Sequence, residues 1–221
     1  MEQFIKISLI IHVIAGTAAI IFGGMAMIFK SKTAKHKPMG RYYFYSMTVI
    51  FVTGIYLSIY SQNFFLFFVS FFTYYSTLVG YRSIVLKNRP TETLDKVVDG
   101  IAGSANLSLV AFGIYMYLKN GHIDAAIPIV FGLLGLGFVY SNVKRHLSTF
   151  VSTGNQWLLR HISNMMGSYI GAITAFTVNQ AWKIHVPNII SWLGPTALLV
   201  PIIVIEQRKV RKRTQTRAII K

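Results

Sequence analysis

The chain has no cysteine. That excludes disulfides, thiolate metal sites, iron–sulfur clusters and thiol catalysis, and leaves His, carboxylate, Met, Tyr and backbone atoms as ligands. Charge is also scarce, at 13% of 221 residues, where an ordinary soluble domain carries about a quarter. Six residues are acidic, against 22 Lys and Arg. A chain so poor in charge and 53% hydrophobic has no soluble domain to speak of, so any site lies between membrane helices or at their ends.

What is present is a series of long apolar segments. They run over about residues 4–29, 42–60, 64–86, 97–118, 125–143, 158–182 and 186–205. Each is long enough for a hydrocarbon core of about 30 Å, which takes roughly 20 helical residues. The expected fold is all-α, a polytopic bundle of seven transmembrane helices spanning 1–207, with a basic tail over 208–221. Of the 22 Lys and Arg, 19 fall in the tail or in and at the margins of the gaps after segments one, three and five, Arg82 and Arg160 being the two at segment ends, leaving Lys6, Lys119 and Lys183 opposite. Short loops rich in Lys and Arg resist translocation, which predicts an outside N-terminus and a cytoplasmic C-terminus. The net charge of +16 therefore points to anionic lipid and not to nucleic acid. The first segment lacks an Ala-x-Ala cleavage site and reads as a retained helix.

Turn residues at Ser61-Gln62-Asn63, Asn88-Arg89-Pro90, Asn120-Gly121 and Val186-Pro187-Asn188 agree with the gaps, and the polar stretch 144–159 reads as a surface loop. Small residues form stripes in helix one (Gly16, Ala19, Gly23, Gly24), helix four (Gly100, Ala102, Gly103) and helix six (Gly167, Gly171, Ala175), and such faces admit close helix contact. These three helices are expected at the centre. Helix three, aromatic all round from Phe64 to Tyr75, is expected to face lipid or fill gaps.

Ionisable groups inside a membrane are costly and are candidates for function. His12 sits about 12 Å into helix one, either as a ligand or relay or as a neutral imidazole bonding across a helix interface. His36, His146, His161 and Asp99 all lie at the basic ends of helices. Three imidazoles and a carboxylate suit zinc or iron, although the residues lack the local spacing of a metal motif. In helix six, His161, Met165 and Tyr169 share a face at four-residue steps with Asn164 and Ser168 beside them, a polar stripe that must face protein or water. A bis-imidazole haem b needs two histidines at matched depth, which His36 and His161 satisfy and His12 does not. A retinal protein is disfavoured further, because segment seven (186–205) holds no lysine to form the Schiff base and Lys183 precedes it.

The pattern His12-x-x-x-Gly16 with Gly23, His36-Lys37-x-x-Gly40-Arg41-x-Tyr43, and Trp157-x-x-x-His161-x-x-x-Met165-x-x-x-Tyr169 resembles the bacterial DUF2306 family of membrane proteins. The resemblance spans nearly the whole chain and implies a multi-pass protein of the bacterial inner membrane, without implying a reaction. His122, His146 and His185 match nothing in that pattern.

The leading expectation is a protein that binds haem b or a divalent metal, zinc or iron, for redox or cofactor handling. His36 and His161 are its ligands, Asn164, Met165 and Tyr169 surround them, and Arg41 partners an anionic group. The alternatives are a small transporter or proton-coupled permease along His12, His161 and Tyr169, a zinc hydrolase using His36, His146, His161 and Asp99, and a structural accessory subunit.

Overall fold

A computed structural model describes residues 2–87, 89–147, 155–181, 183 and 185–219, with side chains described except at 146–147 and 213–219. The described residues form seven α-helices: α1 (Glu2–Ile28), α2 (Thr33–Tyr60), α3 (Phe64–Leu86), α4 (Thr93–Asn120), α5 (Ala126–Leu147), α6 (Gln156–Ala181) and α7 (Asn188–Ile219), with a 3-10 turn at Ile123–Ala125 before α5. Six of them are long and apolar enough to cross a membrane. The sixth helix is the exception. Its 26 residues would reach about 39 Å, but Ser163, Asn164, Ser168, Thr174, Thr177 and Asn179 dilute its apolar character. Large side chains lie bare on the outside, Ile28 at 76% and Leu198 at 74% exposed among them. Water would penalise that surface, whereas lipid tails cover it at no cost.

Local chemistry sets the element ends. Asn63 caps α3 by accepting from the Leu66 N–H at 3.0 Å. The backbone N–H of Glu92 donates to Asp95 Oδ2 at 2.8 Å as α4 begins. Gly121 ends α4 in the left-handed region at φ 64°, where its N–H reaches Tyr117 O. The helices extend past the apolar segments: α2 starts at Thr33, so His36 and Arg41 are helical, and α7 runs unbroken past 207 into the basic tail. Much of the polar stretch 144–159 lies outside the described residues.

Successive helices pack as neighbours, α1 on α2 and α4 on α5, while α3 touches α2, α4, α5 and α6. The centre is therefore α3 with α6, and α1 is peripheral, contrary to the expectation from small-residue stripes. Space explains the difference. Nothing stands within 4 Å of a Cβ placed at Gly16 or Gly100, and in α1 the close contact is confined to Gly23 and Gly24 against the Tyr169 side chain, whereas at Gly80 of α3 such an atom would meet both the side chain and the backbone of Met165 of α6. The aromatic run of α3 also packs inward in part, with Phe72 edge-on to Phe131 of α5 at 5.5 Å between ring centres. Lys30 at the end of α1 pairs with Glu206 of α7 at 2.9 Å, and Arg145 of α5 donates to Arg89 O at 2.8 Å. The basic helix ends thus gather at one end of the bundle.

Candidate functional site

Two imidazoles meet at the basic end. The rings of His36 (α2) and His161 (α6) lie 6.1 Å apart between centres, nearly perpendicular at 83°. Each is anchored at Nδ1. His36 Nδ1 donates to Ala26 O at 2.9 Å, a carbonyl in the last turn of α1 that has no intrahelical donor. His161 Nδ1 donates to Gly80 O of α3 at 3.0 Å. A backbone carbonyl only accepts, so these bonds place a ring proton on Nδ1, and in the neutral tautomer the lone pair is on Nε2. Metal-binding histidines are commonly oriented in this way.

The wall above the pair is polar and tight. Gly80 allows α6 to approach, since a Cβ there would lie 2.9 Å from Met165 Cγ, 3.1 Å from Met165 N and 3.3 Å from Asn164 Cβ. Asn164 is 4% exposed, and its Nδ2 donates to Arg160 O at 3.0 Å. Its Oδ1 is buried with no hydrogen-bond partner among the described residues. A buried acceptor without a donor costs about 1–3 kcal/mol. One turn further, Ser168 spends its hydrogen on Met165 O, so Tyr43 OH donates to Ser168 Oγ at 2.7 Å. Thr77 lies beside that hydroxyl. Tyr169 OH donates to Ile20 O of α1 at 3.1 Å over a ring seated on Gly23. On the outer flank Ser163 of α6 bonds Gln207 of α7.

The other candidates are placed apart. His12 Nδ1 meets Thr53 Oγ1 at 2.8 Å, and Thr53 already donates to Val49 O, so the imidazole is the donor in a bond between α1 and α2. Fourteen residues separate it from Ala26 along α1, about 21 Å, which removes it from the His36–His161 pair. Met165 packs on Gly80 and beside Tyr43, Met47 and Ala19, as a space-filling side chain. Arg41 is exposed on α2. His146 lies in the last turn of α5 with its side chain outside the described residues.

The four-ligand metal site is corrected for Asp99. It lies 4% exposed on another flank of α3, where Tyr75 OH donates to its Oδ1 at 2.7 Å and Asn142 Nδ2 donates to Tyr75 OH at 2.7 Å. Arg82 clamps Asp95 through Nε and Nη2 and reaches Glu92 at 2.7 Å, tying α3 to α4 beside this trio. A cavity of about 20 Å³ between them has room for about one water. The trio holds α3, α4 and α5 together, while Gly80 presents His161 on the α6 side. Among the described residues no group of three or more His, Asp or Glu is arranged to hold a metal ion.

Sequence reasoning brought His36 and His161 together and missed Ala26, Gly80, Thr77 and Gln207. A lone glycine in an otherwise bulky helix was the available signal for Gly80, because it marks close backbone approach. Comparison with protein-family models, with curated proteins and with solved structures finds no match to this chain.

Proposed function

We propose that this is a multi-pass protein of the bacterial inner membrane that carries a transition-metal centre, haem b or a zinc or iron ion, on His36 and His161 for redox or cofactor handling. One observation carries the reading: two imidazoles from different helices, both fixed at Nδ1 by backbone carbonyls, meet edge-on with ring centres 6.1 Å apart. With metal–nitrogen bonds of about 2.0–2.1 Å, a shared ion separates ring centres by roughly 6.4 Å in line and roughly 5.2 Å at a tetrahedral angle. The observed separation falls within that span. The basic end supplies attraction for an anionic group, with Arg160 half-buried beside His161 and Arg41 and Lys37 exposed on α2. Membership of the DUF2306 family, which rests on these same residues, belongs to the proposal.

The test is elemental analysis with a visible spectrum of the detergent-purified full chain. A stoichiometric metal or a Soret band is expected, lost in His36→Ala and in His161→Ala. Wild-type protein that is colourless, metal-free and unable to take up zinc, iron or haem overturns the reading.

A further inference from the structure

An open furrow of about 320 Å³ runs between α1 and α2, lined by residues of these two helices alone. Side-chain size is its cause: the small Ala15 and Ser46 lie between Ile11 and Phe22 of α1 and Tyr42 and Tyr45 of α2. From Ile11 to Phe22 it follows α1 for about 16 Å, close to one leaflet of a core about 30 Å thick. Cations stand at its basic end. Lys35 lies two turns before Tyr42 on the same face of α2, and Phe29 lies two turns beyond Phe22 on α1, where its N–H still bonds Met25 O. The two side chains meet across the helix pair, Lys35 Nζ sitting over the Phe29 ring at 5.3 Å. Arg41 stands one turn before Tyr45, and both cations are exposed. Neither has a carboxylate partner among the described residues. The sequence holds no acid between Glu2 and Glu92, and Glu206, which reaches this end from α7, pairs with Lys30 and Lys209.

We infer that this furrow is the site of an anionic phospholipid, which lays one acyl chain along it and sets its phosphate against Lys35, with Arg41 adding attraction at the same end. The phosphate supplies the countercharge that the cations lack, and the chain covers the apolar walls. Tyr42 and Tyr45, 51% and 62% exposed, stand at the headgroup level where aromatic side chains gather. A second copy of this chain is the rival occupant, and charge disfavours it. Two copies related by an axis along the membrane normal meet residue for residue at equal depth, Lys35 against Lys35. A neutral isoprenoid fills the furrow and leaves the cations unanswered. The site is independent of the metal reading, since His36, next in the chain to Lys35, turns instead to Ala26 O.

The test is native mass spectrometry of the full chain, delipidated in detergent and titrated with dioleoyl phosphatidylglycerol or with dioleoyl phosphatidylcholine, which has the same chains and no net charge. Wild type is expected to hold phosphatidylglycerol at about tenfold lower concentration than phosphatidylcholine. Lys35→Glu combined with Arg41→Glu abolishes that difference without lowering the melting midpoint, since both side chains are exposed, and Lys35→Arg keeps it. Ser46→Phe fills the furrow and weakens retention of both lipids with the charges intact. Dihexanoyl phosphatidylglycerol, too short to fill the furrow, competes poorly in wild type, a readout that needs no variant. Equal retention of the two long-chain lipids by wild type, or a preference that survives the double charge reversal, overturns the headgroup contact and with it the inference. Inorganic phosphate or the short-chain lipid competing as well as the long-chain one overturns the role of the furrow. Wild type that emerges as a lipid-free dimer, or with a neutral isoprenoid in place of phospholipid, gives the furrow to another occupant and overturns the inference too. His161→Ala leaves lipid retention unchanged, so this inference and the metal reading fail separately.

Discussion

Gly135 sits under Asn106 where α4 and α5 come closest. Asn106 is fully buried, its Nδ2 donates to Ala102 O at 2.7 Å, and its Oδ1 presses on the α5 backbone so that a Cβ at Gly135 would overlap it. Gly135→Ala is expected to destabilise the bundle by about 1–3 kcal/mol, seen as a lower melting midpoint in detergent. Adding Asn106→Ala relieves the overlap, and the double variant should recover most of the loss, a non-additivity expected of residues in contact. His12 offers a second residue-level test. Its bond to Thr53 is worth about 0.5–1.5 kcal/mol, so His12→Ala should lower the melting midpoint modestly. The metal or haem content of the purified protein should not change, and a parallel loss would return His12 to the site. Neither residue's role was legible in the sequence. Asn106 and Gly135 lie far apart in the chain, and an interior histidine carries the same letter whether it binds a ligand or a threonine.

Helices carry their packing in the spaces between side chains, and there the sequence is a partial guide. Segment three was legible to the residue, Phe64–Leu86, because Asn63 caps it and apolar residues fill it. Its place at the centre was not, because the aromatic half drew attention from Ser76, Thr77, Gly80 and Ser83, the small buried residues of the other half. The paired histidines were legible from topology, since helix ends of equal parity share a membrane face. Gly80→Ala tests the link between packing and site. A Cβ there would stand 3.1 Å from the backbone nitrogen of Met165, which has no rotamer to yield, so α3 is pushed away from α6 and the Gly80 O to His161 bond lengthens. Metal content should fall although no ligand is altered. Gly100→Ala, at a site with nothing within 4 Å, should change stability by less than about 0.5 kcal/mol and leave metal content intact.

At the scale of the molecule, orientation is the property with the sharpest test, and the missing cysteines make it simple. Single cysteines introduced at Lys183 and at Lys32, on opposite sides by the charge pattern, report sidedness against a background with no thiol. A membrane-impermeant maleimide should label Lys183→Cys in intact spheroplasts and Lys32→Cys after permeabilisation; the reverse pattern inverts the topology. The sixth helix bears on the whole molecule in a different way. Alone, it carries Arg160, Asn164, Ser168, Thr174 and Asn179 into hydrocarbon, and charged or polar residues at the centre of a lone helix make insertion uphill. Its company in the bundle is α3 on one flank and α7 on the other. His161 therefore owes its position to packing, through the α3–α6 contact that brings it to Gly80 O. Without the sixth helix in place His36 keeps its bond to Ala26 O but faces no second imidazole, so the pair is a property of the assembled bundle and of no single hairpin.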